Sequence, residues 1–274
     1  MFGSDESLIE SNGLPPAPAS FQTALLDALD TPTIKVKKRH RLWNAGTSPS
    51  VLYMLQSGWA YTYQSSHGKA LNVIDVFLPG DLAGVRDASL RRHSTDAAML
   101  TDGVISVLDK AQLYDLFERA PSLARHLFIY AAHQQASLAN RLTNVMGNDA
   151  RCRIAHFILD IFYRLKKVQR GLGHRFPFPL LQKHISLALG LTHVHVSRLL
   201  KELEEQGVIR KTRQELEILD LKRLVEMANY PKEALSDGET GIALHVALAS
   251  ASPEAAGPQT GLSSTHAPAK RDSN

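Results

Sequence analysis

The sequence predicts an α+β chain made of an N-terminal antiparallel β-roll, one long helix and a C-terminal winged helix-turn-helix unit. Three observations predict it. Short β-rich runs parted by turn residues fill Ile34 to about Val107, and from Lys110 the apolar spacing changes from two to nearer four. Residues 180–209, LLQKHISLALGLTHVHVSRLLKELEEQGVI, then form two short helical patterns hinged at Gly190.

Residues 1–20 are rich in Ser, Pro and Ala and read as a loose segment, followed by a short apolar helix over Phe21–Leu29. The runs Ile34–Val36, Leu52–Leu55, Ala60–Tyr63, Val73–Phe77 and Val104–Leu108 read as strands, with turn signals at Ser57–Gly58, Pro79–Asp81 and Thr101–Gly103. Many short strands at even spacing specify a small roll or barrel. Lys110–Glu118 is a short helix, Ala120-Pro121 a break, and Ser122–Val145 a long helix without internal Pro or Gly. Along it Leu127, Ala131, Gln134, Leu138, Leu142 and Val145 recur at three- and four-residue steps. This stripe is either a face packed on its own domain or the seam of a two-stranded coiled coil between protomers, with Gln134 setting the register. The paired form is the expectation, because a helix-turn-helix unit gains half-site spacing by pairing. Arg151–Leu165 is a further amphipathic helix that buries Ile154, Phe157, Ile158 and Ile161.

In the hairpin, Ile185, Leu189, Leu191, Val196 and Leu199 fall where two helices press together, Ser186 is small where they cross, and Gly190 allows the positive φ of a tight turn. Val208–Lys211 and Glu215–Leu219 bracket Thr212-Arg213-Gln214 as a wing with a basic tip, and Asp220 caps a last helix, Leu221–Asn229. From Pro231 onwards Ala, Ser, Gly and Pro dominate with no sustained stripe, and the tail reads as disordered, although Ile242–Leu248 could form a turn of helix. The domain plan is therefore a loose segment over 1–20, the roll over 21–120, a dimerisation helix over 121–146, the winged unit over 147–233 and a tail over 234–274.

At 274 residues, 44% hydrophobic and 21% charged, the chain is long enough for two domains with separate cores. No run approaches the ~20 apolar residues of a membrane span, and acid and proline stand where a signal peptide needs basic then apolar residues, so a cytoplasmic location is expected. The single Cys152 excludes an internal disulfide framework and an all-cysteine metal or iron–sulfur site. Arg151 and Arg153 would lower its thiol pKa if it were exposed, which makes Cys152 a candidate redox sensor. Cys152 and His156, four apart on one helix, make a poor metal pair, and no metal or cofactor is expected. The net charge of +4 is unevenly spread. Residues 1–146 carry 13 Lys/Arg and 13 Asp/Glu, whereas residues 147–233 carry 16 and 10, so the positive excess lies on the hairpin segment, where phosphate neutralisation would use it. No G-x-S-x-G elbow, H-E-x-x-H pair or phosphate-binding glycine loop is present, which argues against an enzyme.

A roll, a long helix and a winged helix-turn-helix in that order resemble the Crp/Fnr family of bacterial transcription regulators over about Thr33–Tyr230. The strongest part is GLTHVHVSRLLKELEEQGVI, similar to the family's recognition-helix signature, in which a glycine, an aliphatic residue and Thr or Ser lead into a Val-Ser/Asn-Arg core. The resemblance implies a homodimer on double-stranded DNA at a two-fold symmetric operator and contact with RNA polymerase. It also implies a sensory roll that in some members binds cyclic nucleotide and in others holds iron–sulfur, haem or nothing known. The recognition helix is expected to begin at His193, with Val196, Leu199, Leu200 and Leu203 inward. By resemblance His193, Val194 and Arg198 read base edges, Arg198 as a bidentate contact to guanine, while Gln182, Thr192, His195, Ser197, Lys201 and Arg213 meet phosphates. The plain alternative for Arg198 is an ion pair with Glu202, four residues on.

The chain also departs from the family. Leu181 stands where Thr or Ser usually caps the first helix of the motif, and Val194 replaces a common glutamate, favouring a thymine methyl over cytosine. Gly84-Val85 and Thr95-Asp96 replace the Gly-Glu and Arg-Ser pairs that hold ribose and phosphate in cyclic-nucleotide binders. An aspartate facing a phosphate repels it, so the roll is expected to act without cyclic nucleotide and its effector stays open. One alternative is a cyclic-nucleotide-responsive regulator of the same fold, with Arg91 and Arg92 shifted into play. Another is an effector-binding or interaction protein that does not read DNA.

Overall fold

The computed structural model describes Leu25, Leu26, Leu29 and residues 31–66, 69–169 and 171–230. The expectations for 1–20, for most of Phe21–Leu29 and for the tail from Pro231 lie outside the described residues; Leu25, Leu26 and Leu29 are helical. The roll comprises β1 (Thr33–Val36), β2 (Arg41–Trp43), β3 (Val51–Ser57), β4 (Ala60–Ser66), β5 (Lys69–Phe77), β6 (Leu82–Ala83), β7 (Asp96–Met99) and β8 (Gly103–Asp109). They form two four-stranded sheets, β1-β8-β3-β6 and β2-β7-β4-β5, with every pairing antiparallel. Leu42, Trp43, Leu55, Phe77, Met99 and Ile105 pack together as the roll's own core. Gly58, at φ +83, makes the β3–β4 turn, where an added Cβ would lie 2.6 Å from the Asp102 carbonyl, so no other residue fits.

Helices follow as the change of period requires. α1 (Lys110–Arg119) is capped by the Asp109 carboxylate, α2 (Pro121–Gly147) starts on proline, and α3 (Ala150–Val168) is capped by Asp149. α3 buries Ile154, Phe157, Ile158 and Ile161 against α4 (Gln182–Leu189), α5 (His193–Glu205) and α6 (Leu221–Met227). The wing strands β10 (Ile209–Lys211) and β11 (Glu215–Ile218) gain a third partner absent from the sequence reading, β9 (Arg175–Pro177). β9 lies at the edge of that sheet, where a proline breaks no ladder.

Beside the roll's own core, the two parts share a further cluster. Trp59, Val73, Val76, Leu78 and Leu100 of the roll share one cluster with Ile154, Phe178, Leu180 and Ile185 of the winged unit. Trp59 meets Phe178 edge-on at 6.4 Å, and Tyr61 meets His184 at 5.6 Å. Charges seal this seam. Arg164 donates to the Asp81 carboxylate at 2.6 Å and to the Val76 carbonyl at 2.8 Å, with Asp160 at 3.6 Å, and Arg141 of α2 donates to Asp75 at 2.8 Å. Burial pushes the Asp81 carboxyl up, and the Arg164 charge and the Leu78 N–H oppose that.

The stripe on α2 divides differently from the expectation. Leu127 and Val145 pack on the chain's own clusters, and Gln134 donates to the Tyr130 hydroxyl instead of facing outward. Ala131 is half-buried, while Leu138 and Leu142 are exposed. The outer apolar line runs Phe128 (74% exposed), Leu138, Leu142 and Met146 (77%). α2 has two apolar faces, and spacing alone does not say which one meets the chain itself.

Candidate nucleic-acid interface

Two turns set the recognition helix. Gly190 adopts φ 65°, ψ 32°, ending α4 in the left-handed conformation, and the Thr192 hydroxyl accepts from the His195 N–H at 3.2 Å, capping α5. At the start of α4 Leu181 has no oxygen to offer the free N–H groups of the first turn. Its backbone N–H donates to His184 Nδ1 at 3.1 Å, half of a capping box supplied from the third helical position. Burial holds His184 at about 4, with Lys38 and Lys183 pushing the same way, so the ring is neutral and its nitrogen is able to accept.

α5 buries Val196, Leu199, Leu200 and Leu203, as the sequence requires. His193, Val194 (77% exposed), Arg198 and Lys201 point to solvent, whereas His195 and Ser197 are half-buried. Arg198 Nε lies 3.6 Å from Glu202, which also accepts from Arg151 at 3.0 Å, and Lys201 lies 3.4 Å from Glu205. Such exposed pairs are worth about 0–1 kcal/mol, so they release their cations at little cost. A groove of about 480 Å³ between α5 and the wing brings together Gln182, His193, Ser197, Lys201 and Arg213. Lys183 and Lys211 line it as well, and no sequence signal singled them out. Its one carboxylate, Glu204, accepts from the Lys211 backbone N–H at 2.8 Å. Thr192 and His195 lie off the groove, and Val194 and Arg198 occupy the adjoining strip of the helix.

Comparison with known proteins agrees with this layout. Residues 33–120 match the model of the cyclic nucleotide-binding domain, and residues 152–227 match that of the Crp-like helix-turn-helix domain. The chain belongs to the Crp/Fnr family of transcription regulators. It is similar to the anaerobic regulatory protein of Haemophilus influenzae, 26% identical over 202 residues covering 73% of this chain and 78% of the relative. It is also similar to the fumarate and nitrate reduction regulatory protein of Escherichia coli, 23% identical over 198 residues covering 72% and 78%. Among solved structures, FixK2 from Bradyrhizobium japonicum aligns with a TM-score of 0.64 at 20% identity, covering 72% of this chain and 96% of that one. A CooA mutant from Carboxydothermus hydrogenoformans gives 0.58 at 18%, covering 75% and 90%. At those identities the two structures show a shared fold.

The roll of this Crp/Fnr regulator matches the cyclic nucleotide-binding domain but lacks the Gly-Glu and Arg-Ser pairs of the nucleotide binders. Where the family's resemblance places the ribose and phosphate contacts, Gly84 (φ +99) leads into a short 3-10 turn, Val85–Asp87, whose Asp87 is buried. That carboxylate accepts from His93 Nδ1 at 3.1 Å and from the Ser94 hydroxyl at 3.0 Å, and His93 stacks on Trp43 at 4.6 Å. The Thr95 hydroxyl accepts from Arg86, and Asp96 accepts from the Ala45 N–H and the Ser65 hydroxyl. Asp96 thus stands where the resemblance places a phosphate contact, while the nearby Arg86 is engaged with Thr95 and, at 3.4 Å, with Asp87. Arg92 is turned away, donating to the Gly46 carbonyl at 2.7 Å.

Cys152 corrects another expectation. Its thiol is buried, and burial together with Asp149 pushes its pKa up, so the neighbouring arginines do not create a reactive thiolate. His156 packs on the Tyr230 ring at 4.8 Å. Among the described residues no three His, Cys, Asp or Glu side chains gather as a metal site, and no helix is long and apolar enough to cross a membrane.

Proposed function

We propose that this regulator works in the cytoplasm as a homodimer that reads a two-fold symmetric operator, and that it acts by binding rather than by catalysis. The observation that carries the reading is the outward strip of His193, Val194 and Arg198 on α5 beside a groove rimmed by Lys183, Lys201, Lys211 and Arg213. In this reading Arg198 leaves Glu202 for guanine O6 and N7, Val194 touches a thymine methyl and His193 meets a base edge. Gln182, Thr192, His195, Ser197, Lys201 and Arg213 hold phosphates and fix register. Thr192 can do so while capping α5, since its hydroxyl still has a proton to donate. Pairing along Phe128, Leu138, Leu142 and Met146 of α2 would cover an apolar line that otherwise faces water. Contact with RNA polymerase is carried over from the family alone. The roll supports the dimer or senses a ligand other than a cyclic nucleotide, because its buried Asp96 opposes a phosphate.

Selection of bound sites from a random DNA pool tests this. The expected result is an inverted repeat, with Arg198→Ala losing preference at one base pair of each half-site. Binding that depends on salt but shows no sequence preference overturns it. Calorimetry with cyclic AMP and cyclic GMP is expected to show no saturable heat.

A further inference from the structure

One carboxylate on the recognition helix serves two arginines. Glu202 Oε1 lies 3.6 Å from Arg198 Nε on the same helix, and Glu202 Oε2 accepts from Arg151 Nη2 of α3 at 3.0 Å. The Glu202 side chain is the most enclosed of the three, at 31% exposed, and that of Arg198 is the most open, at 67%. The shorter contact is the one to Arg151. Arg198 stands outermost with the longer one, so it can depart while the other oxygen keeps its partner.

Arg151 gains nothing from its own helix. It is the second residue of α3, whose first turn holds no acid, and a cation there faces the positive end of the helix dipole. Asp149 is spent as the helix cap, its carboxylate accepting from the Cys152 N–H at 2.8 Å. The backbone beneath is pinned. Arg153 donates to the Asn148 carbonyl at 2.8 Å, and the Asn148 side chain donates to that of Asn144 at 2.9 Å. From this fixed base the Arg151 guanidinium reaches across to α5.

We propose that Arg151 is a positioning residue for operator reading. It retains the Glu202 carboxylate when Arg198 swings to its base, so that the outer arginine is freed and no bare carboxylate is left facing the DNA. This rests on the base-reading role given to Arg198 above. Two guanidiniums share one carboxylate, so one cation is in surplus, and the distances make it Arg198. Without Arg151, Arg198 and Glu202 are a simple i,i+4 pair, and each guanine contact must first break that pair and leave a negative charge beside the phosphates.

The test uses the full chain, the selected operator and the same operator with one base pair replaced, the pair at which Arg198→Ala loses preference. Arg151→Gln is expected to lower the preference for the selected operator over the replaced one by about three- to fivefold per half-site, the range that an exposed ion pair supplies. Arg151→Lys keeps the charge and is expected to retain most of the preference. Glu202→Gln added to Arg151→Gln is expected to restore it, since no carboxylate is then left to compete. Equal loss on both duplexes, with a shallower salt slope and no rescue by Glu202→Gln, overturns the proposal and makes Arg151 a phosphate contact. An unchanged preference overturns it too, and a lowered denaturation midpoint beside it would mark the pair as a structural tie between α3 and α5. Failure of the Arg198 reading shows separately, in Arg198→Ala selecting the same sequence as wild type, and removes both.

Discussion

The winged unit has two faces that hold similar residue types in opposite ways. Against the roll, Arg164, Asp81, Asp160 and the Val76 carbonyl satisfy one another in a half-buried seam next to Trp59 and Phe178. On the outer face Arg198 and Lys201 rest on glutamates of their own helix at 3.6 and 3.4 Å, exposed to solvent. The inner arginine has no cheaper partner to go to, whereas the outer one can exchange Glu202 for a base edge at almost no cost. Structure is invested where partners are fixed, and recognition is left where they are replaceable.

The sharpest way to break this contrast is Arg164→Met. Removing the cation leaves Asp81 and Asp160 facing each other at the seam, and a stability loss of about 3–5 kcal/mol is expected in urea denaturation. A loss near that of an exposed pair would place Arg164 with the outer face instead. Next comes Arg198→Ala, expected to cost about 1–3 kcal/mol of discrimination at one base pair while leaving the denaturation midpoint almost unmoved. A large loss of stability would show that the outer arginine is structural.

His184 sharpens the comparison through pH. Its ring stands at about 4 in the fold against 6.5 when unperturbed, so unfolding takes up a proton between those values. The stability it contributes is full above about pH 6.5 and falls as the pH drops towards 4. His184→Asn, whose side-chain oxygen can accept the same Leu181 N–H, is expected to flatten the denaturation midpoint across that window. Parallel curves for variant and wild type would detach the seam from this ring. The smallest effect is expected from Lys201→Gln, a fall of about 0.9 per protomer in the salt slope of DNA binding with selectivity intact. A change in the selected sequence would mean that Lys201 reads bases.

Much of this architecture is legible in the chain because its strongest signals are local. Gly190 and the buried set Val196, Leu199, Leu200 and Leu203 need only their own neighbours to be read. Strands lacking β-branched residues escape such a reading. β7, Asp-Ala-Ala-Met, is buried throughout yet has no alternation and no Val or Ile, and β9 is three residues ending in proline. On α2 spacing alone does not select the inward face, since the Tyr130 hydroxyl and the Asp75 carboxylate of the roll hold Gln134 and Arg141. The contact that opens α4 is hard to read because the usual signal is an oxygen at the N-cap, and here an imidazole three residues later takes the Leu181 N–H, the reciprocal half of a capping box.

The shared cluster that ties Trp59 and Leu78 to Phe178 and Ile185 also bears on how the molecule comes apart. A chain with two independent cores would melt in two steps, each with its own enthalpy. Here half of one β-sheet is wall to both compartments, so heating should yield a single calorimetric peak in which the measured and van't Hoff enthalpies coincide. Slow amide exchange should then extend unbroken from β4 across the junction into α3.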